Sequence, residues 1–324
     1  MKAIQQHGYG EPAKVLRLID DAPVPDLADD HVLVRTHACS VNPADWHLVY
    51  GEPLLMRPAL GGVRAPRRVI GTDFAGVIEQ VGGAVTNLGV GDEVYGYANG
   101  AFAEHVAAPA ASTACKPSAL TFAEAAAVPL AGITAQQGLR LGGLEAGQHV
   151  LILGASGGVG TFAVQLAKHI GAEVTGVCST GRTDHVRRLG ADHVIDYTVQ
   201  SPATSDLHYD LILQLGGTYS AGTLRRALTP RGTLVQSMGD GNRWFGPLGA
   251  MAGAAARNIF VRQRLTTLMT KETAADLDEL RDLIDAGAVR PVIDSEFPLE
   301  QAADAVNHVR YGHPSGKVVL TAAA

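Results

Sequence analysis

The period of the apolar positions changes along the chain. Up to about residue 110 they come in short runs bounded by turn residues. Val32-Leu33-Val34-Arg35, Val69-Ile70 and Gly76-Val77-Ile78-Glu79-Gln80-Val81-Gly82 are β-prone in this way. Gly91-Asp92-Glu93-Val94-Tyr95-Gly96 reads as a turn feeding another strand. Helical periodicity is weak here, so a mostly β domain is predicted. Near residue 121 the pattern shifts. Thr121-Phe122-Ala123-Glu124 has the form of a capping box, a hydroxyl N-cap with a carboxylate three residues later, and opens an Ala-rich helix. Strands are then predicted over 149–153, 173–178, 192–196, 209–215 and 232–237, with a sixth over 258–264. Helices fall over 159–170 and 183–189, before residue 227, and over 274–286. Strands alternating with helices predict a parallel, doubly wound α/β sheet. After Pro291 a short helix over 299–309 and a closing strand, Lys317–Thr321, return the chain to the first domain. The expected domains are therefore 1–120 with 290–324, and 121–289.

Length agrees, because 324 residues exceed what one core fills. A net charge of −6 argues against a nucleic-acid partner, which needs a concentrated basic stripe. No apolar run reaches the roughly 18 residues that span a bilayer. The three cysteines, Cys39, Cys115 and Cys178, are widely spaced, which disfavours a disulfide framework or a structural zinc. A cytoplasmic location is expected.

The segment with the most chemistry is Gly154-Ala155-Ser156-Gly157-Gly158-Val159-Gly160. Its glycines follow an apolar strand and open a helix that leads to a second strand about 20 residues on, the dinucleotide-binding arrangement. Glycine permits the sharp turn and lets backbone N–H groups approach a pyrophosphate at the helix N-terminus. The competing reading is a tight turn needed only for packing. The second strand ends in Cys178-Ser179-Thr180-Gly181-Arg182, where an NAD site usually carries a carboxylate. Hydroxyls of Ser179 and Thr180 beside Arg182 suit a 2′-phosphate, so the expected cofactor is NADPH. Arg182 equally suits the solvated start of a helix.

At this point the chain resembles a known family. Ser40-Val41-Asn42-Pro43-Ala44-Asp45-Trp46-His47, Gly71-Thr72-Asp73-Phe74-Ala75-Gly76-Val77 and Val90-Gly91-Asp92-Glu93-Val94-Tyr95-Gly96 are similar to the quinone oxidoreductase branch of the medium-chain dehydrogenases. So are Val128-Pro129-Leu130-Ala131-Gly132-Ile133-Thr134-Ala135, Gly190-Ala191-Asp192-His193-Val194-Ile195-Asp196-Tyr197 and Gly316-Lys317-Val318-Val319-Leu320. The resemblance implies a GroES-like β-barrel domain built from both chain ends, a Rossmann domain inserted between them, and a homodimer. It also implies Thr134 against the nicotinamide, Tyr197 beside the adenosine, and the backbone of Leu215 and Gly216 bordering the nicotinamide. Gln214 departs from the acid the family often places there.

Zinc-dependent relatives ligate the metal at positions that carry Asn42, Thr72 and Leu130 here, side chains that cannot replace thiolate and imidazole. No metal is expected. Without a Lewis acid, alkoxide chemistry loses its usual support, and reduction of a quinone or similar activated carbonyl is the easier task. The candidate catalytic residues are Asn42, His47 and Tyr50, as hydrogen-bond or proton donors, with Asp45 nearby. Asn42-Pro43 also signals a turn, and Asp45 also suits a helix cap. An enoyl (thioester or enone) reductase and a non-catalytic NADPH-binding sensor are the alternatives.

Overall fold

The computed structural model describes the chain except residues 59–61, 63, 64, 66, 205, 206, 238–261, 323 and 324. It divides into two compact units, Met1–Ile133 with Lys271–Ala324, and Thr134–Thr270.

The first unit opens with β1 (Ala3–Gln6), a helical turn α1 (Pro12–Val15), β2 (Leu16–Ile19) and the long β3 (His31–Val41). After α2 (Pro43–Tyr50) come β4 (Arg68–Val69), β5 (Asp73–Val81), β6 (Glu93–Tyr97), β7 (His105–Pro109) and β8 (Thr113–Cys115). Among the described residues β3 is the hub of this unit. β5 lies antiparallel along one side of it, and β7 pairs with its first half on the other. Its run of apolar residues is short because its two register shifts, at Leu33/Val34 and Thr36/Ala38, break the alternation that sequence reading relies on. Val32, Val34, Val41, Phe74, Ile78, Val94, Phe102 and Val106 fill the core beneath it. Gly71 allows the closest approach there. It sits at φ +92°, and a Cβ on it would come within 2.1 Å of the Phe102 ring. α3 (Phe122–Ala126) begins at the expected capping box: the Glu124 N–H donates to Thr121 Oγ1 at 3.2 Å and the Thr121 N–H to Glu124 Oε2 at 2.8 Å. α4 (Pro129–Gly142) carries the chain into the second unit.

That unit holds β9 (His149–Leu153), α5 (Gly158–Ile170), β10 (Glu173–Cys178), α6 (Thr183–Arg188), β11 (His193–Asp196), β12 (Tyr209–Gln214), α7 (Ala221–Leu224), β13 (Leu228–Ser237) and β14 (Arg264–Leu268). The strands form a parallel sheet in the order β11-β10-β9-β12-β13-β14, the expected doubly wound arrangement. Of the sixth strand expected over 258–264, residues 258–261 lie outside the described residues, and the described strand begins at Arg264. Strand order reverses between β9 and β12, so the crevice beyond their carboxyl ends is the switch point at which such sheets bind ligands.

The chain then returns to the first unit through α8 (Ala274–Asp285), β15 (Ile293–Pro298), α9 (Ala302–Tyr311) and β16 (Lys317–Thr321). β16 pairs antiparallel with the second half of β3. The helix α8, expected with the second domain, packs on the first unit. Leu277, Leu280 and Ile284 form its buried stripe, and the Tyr95 hydroxyl donates to the Leu277 carbonyl at 2.6 Å. The units accordingly meet in sequence at Ile133/Thr134 and Thr270/Lys271, inside the boundaries of 120/121 and 289/290 that the pattern suggested.

Candidate active site

In the second unit the loop after β9 separates the roles of its glycines. Gly154 turns the chain at φ +81°, and the Gly154 and Ala155 N–H groups donate to the Val177 carbonyl. Gly160 is a packing glycine: a Cβ there would fall 2.1 Å from the Gly154 carbonyl oxygen. Gly157 is the N-cap of α5 and places no side chain on the helix end, and its own missing Cβ would meet only the Gly154 oxygen, at 3.5 Å. The N–H groups of Gly158, Val159 and Gly160 thus lie in an uncapped first turn, where partial positive charge gathers. Ala155 and Ser156 are buried beneath the turn. An anionic diphosphate fits this cradle, and a side chain at Gly157 would fill it.

The neighbouring strand ends supply further contacts. Ser179 caps a 3₁₀ turn, Thr180–Arg182, at the end of β10, and is half-buried. The Thr180 hydroxyl is 2.8 Å from that of Thr198, and both hold the Asp196 carboxyl below the usual range. The Asp196 carboxylate is therefore committed to hydroxyl donors. Tyr197 is half-exposed, at 53%, with its N–H on the Cys178 carbonyl. On the other side of β9, the Leu215 N–H donates to the Leu153 carbonyl, which lays Leu215 and Gly216 alongside Gly154. Gln214 does structural work in place of an acid: its amide donates to the carbonyls of Gly217 and Tyr219, and it accepts from Gln236 at 2.8 Å. Thr134 is buried, and its hydroxyl lies 3.2 Å from that of Thr270.

The first unit contains a separate buried polar cluster. Direct register across three strands sets Ser40 on β3, Asp73 on β5 and Tyr97 on β6 in one row, all on one face. Asp73 is fully buried and fully satisfied. Its Oδ2 accepts from Ser40 Oγ at 2.9 Å, Asn42 Nδ2 at 2.9 Å and Lys317 Nζ at 3.4 Å, and its Oδ1 accepts from the Leu130 N–H at 3.2 Å. Lys317 Nζ also donates to Asn42 Oδ1, and Asn42 Nδ2 reaches Thr72 Oγ1 at 3.4 Å. Isolated burial of either charge would cost several kcal/mol, so the pair persists because every partner is in place. Zinc does not fit here. The positions under comparison carry an amide, a hydroxyl and a backbone N–H, and an ammonium already sits among them. Among the described residues no group of three His, Cys, Asp or Glu side chains is placed to hold a metal.

The same bonds change what Asn42 does. Both of its amide hydrogens and its oxygen are engaged inside the protein, and its side chain is 2% exposed. Its N–H donates to Asp45 Oδ2 at 2.7 Å, a capping box in which Asn42 is the N-cap of α2 and Asp45 its partner at N3. Burial, reinforced by Asp73, pushes the Asp45 carboxyl up to about 7. His47 and Tyr50 are not brought to this cluster. His47 Nδ1 lies 3.1 Å from the Glu52 carbonyl. Tyr50 ends α2, about 12 Å along the helix from Asn42. Its hydroxyl lies 3.3 Å from Asn307 Oδ1 and 3.4 Å from the Tyr311 hydroxyl, and the Arg310 guanidinium stacks 3.6 Å from its ring centroid. Burial and Tyr311 push its phenol up to about 12.

Sequence reasoning missed Lys317. Lys317 lies 275 residues from Asn42 and reads as an ordinary strand-end lysine.

A GroES-like β unit drawn from both ends of the chain, with a switch-point Rossmann sheet in the sequence between them, is the make-up of the medium-chain dehydrogenases. Residues 28–118 match the alcohol dehydrogenase GroES-like domain family, and residues 189–320 match the zinc-binding dehydrogenase family. The chain is 32% identical to the quinone-oxidoreductase homolog of Spinacia oleracea chloroplasts, over 99% of this chain and 98% of that protein. It is also 32% identical to the NADPH-dependent alkenal/one oxidoreductase of Arabidopsis thaliana chloroplasts, over 99% of this chain and 79% of that protein. The quinone oxidoreductase of Coxiella burnetii superposes with a TM-score of 0.88 at 29% identity, covering 99% of both chains. This chain belongs to the zinc-independent quinone oxidoreductase branch of the medium-chain dehydrogenase/reductase superfamily.

Proposed function

We propose that the protein is an NADPH-dependent, zinc-independent reductase of quinones or closely related activated carbonyl compounds. The observation that carries this reading is the glycine cradle after β9, with its uncapped α5 terminus, beside a β10 end that carries Ser179, Thr180 and Arg182. NADPH, when bound, supplies the hydride. The chain's own residues bind and orient: the first-turn N–H groups of α5 hold the diphosphate, and Ser179, Thr180 and Arg182 take the 2′-phosphate. Leu215, Gly216 and Thr134 border the nicotinamide, and Tyr197 lies along the adenosine. The Lys317–Asp73 pair leaves no place for a metal-bound alkoxide. An enoyl (thioester or enone) reductase or a non-catalytic NADPH sensor is less favoured, because the relatives matched over nearly their whole length include a quinone-oxidoreductase homolog.

Among the described residues no helix is long and apolar enough to cross a membrane. In this reading the protein works in the cytoplasm as a homodimer, and its three unpaired cysteines suit a reducing compartment. The deciding experiment is stopped-flow NADPH oxidation over quinones, enones and aldehydes, with NADPH and NADH titrated by fluorescence. Quinone-dependent oxidation and tighter NADPH binding are expected. Equal affinity for the two nucleotides would sink the 2′-phosphate argument, and binding without turnover of any acceptor would make the protein a sensor.

A further inference from the structure

We infer that Gln214 is a positioning residue for the nicotinamide half of the cofactor, acting through the turn over residues 215–219, which its amide holds against the glycine cradle. The inference rests on the NADPH reading above and uses only the second unit.

Gln214 ends β12, one of the two strands that flank the switch point. In register it stands beside Leu153 at the end of β9 and beside Gln236 on β13. Residues in register share a face of the sheet, so the two glutamines meet, and the Gln236 amide donates to Gln214 Oε1 at 2.8 Å. Gln214 Nε2 in turn donates to the Gly217 carbonyl at 3.2 Å and the Tyr219 carbonyl at 3.1 Å. The side chain is buried, with its oxygen and both amide hydrogens engaged. An ionised acid here could accept a hydrogen bond but could donate nothing to the two carbonyls. The amide is what closes the turn.

The closed turn lies on the cradle. The Leu215 N–H donates to the Leu153 carbonyl at 3.1 Å, which carries the pairing with β9 one residue past the strand. A Cβ on Gly154 would fall 3.3 Å from the Gly216 nitrogen. Gly217 then turns the chain at φ +79° towards Tyr219. Between these anchors the Gly216 N–H has no hydrogen-bond partner among the described residues.

The order of the strands says which half of the cofactor meets this turn. With the diphosphate on the α5 terminus after β9, the 2′-phosphate end lies towards Ser179 and Arg182, after β10. β10 and β12 are the neighbours of β9 on opposite sides. The nicotinamide half therefore extends over the end of β12, onto the turn that Gln214 holds.

Gln214→Met tests it, since methionine keeps the length and removes all three bonds. The probes are NADPH and 2′,5′-ADP, which keeps the 2′-phosphate and a 5′-phosphate but has no nicotinamide. The variant should bind NADPH about tenfold more weakly than the wild type, and 2′,5′-ADP within about twofold of it. Retained 2′,5′-ADP binding also shows that the cradle is folded. Gln236→Met removes only the anchor; its NADPH affinity should fall about threefold with 2′,5′-ADP again unchanged, the same contrast if Gln214→Met does not fold. Equal losses for both ligands would make Gln214 a general support of the fold, and no loss for either would make it a bystander. Each of these results overturns the positioning role alone. A wild type that binds neither ligand overturns the NADPH reading and this assignment with it.

Discussion

Asp45 lies wholly out of solvent, with one carboxylate oxygen on the Asn42 N–H and the other buried without a partner among the described residues. Burial raises its folded pKa to about 7, against about 3.9 for an unperturbed Asp. The fold thus prefers the protonated form. That preference stabilises the protein fully below pH ~4 and is lost as pH rises through about 7. Comparing Asp45→Asn with wild type by thermal melting, the wild type should lose stability relative to the variant between pH 4 and 8. A difference that stays flat across that range would mean Asp45 is ionised throughout. The residue types of this cluster were legible in the sequence, but their roles were not. In the sequence Asn42 reads as a candidate catalytic hydrogen-bond donor, because its partner Lys317 comes from the opposite end of the chain.

The loop–helix element after β9 was the most legible part of the chain, since strand, glycines and helix all lie within about 20 residues and the backbone rules are local. Its glycines should respond differently to the same methyl group. Gly160→Ala drives a Cβ into the Gly154 carbonyl at 2.1 Å and should destabilise the protein by about 1–3 kcal/mol, read as a lowered Tm. Gly157→Ala meets nothing closer than 3.5 Å and should leave Tm nearly unchanged while weakening NADPH binding. The opposite pattern would remove the diphosphate from this cradle. Other elements were less readable. The apolar run at 32–35 marks only the start of an eleven-residue strand, whose bulges hide the rest. The stripe on α8 shows that one face is buried but not which unit buries it.

For the whole molecule, the closing strand β16 is visible as a compact apolar run after a short helix, but the chain re-enters the first unit earlier, at Lys271, where the pattern gives no signal. The state of association was not visible in that way. The outer edge of β14 pairs with no strand among the described residues, and an open edge is a template for a second copy. Light scattering should give twice the chain mass of 33.8 kDa, and a mass of one chain would remove the homodimer from the proposed function.

The ammonium that neutralises Asp73 also sets an order of events during synthesis. The second unit is one continuous stretch of sequence and is complete once residue 270 has emerged. The first unit has to wait. Until Lys317 emerges from the ribosome, Asp73 lacks its counter-charge, Asn42 lacks a donor for its oxygen and half of β3 has an open edge. The nucleotide-binding half can thus take shape first, and the half bearing Asp73 closes only when the last strand arrives.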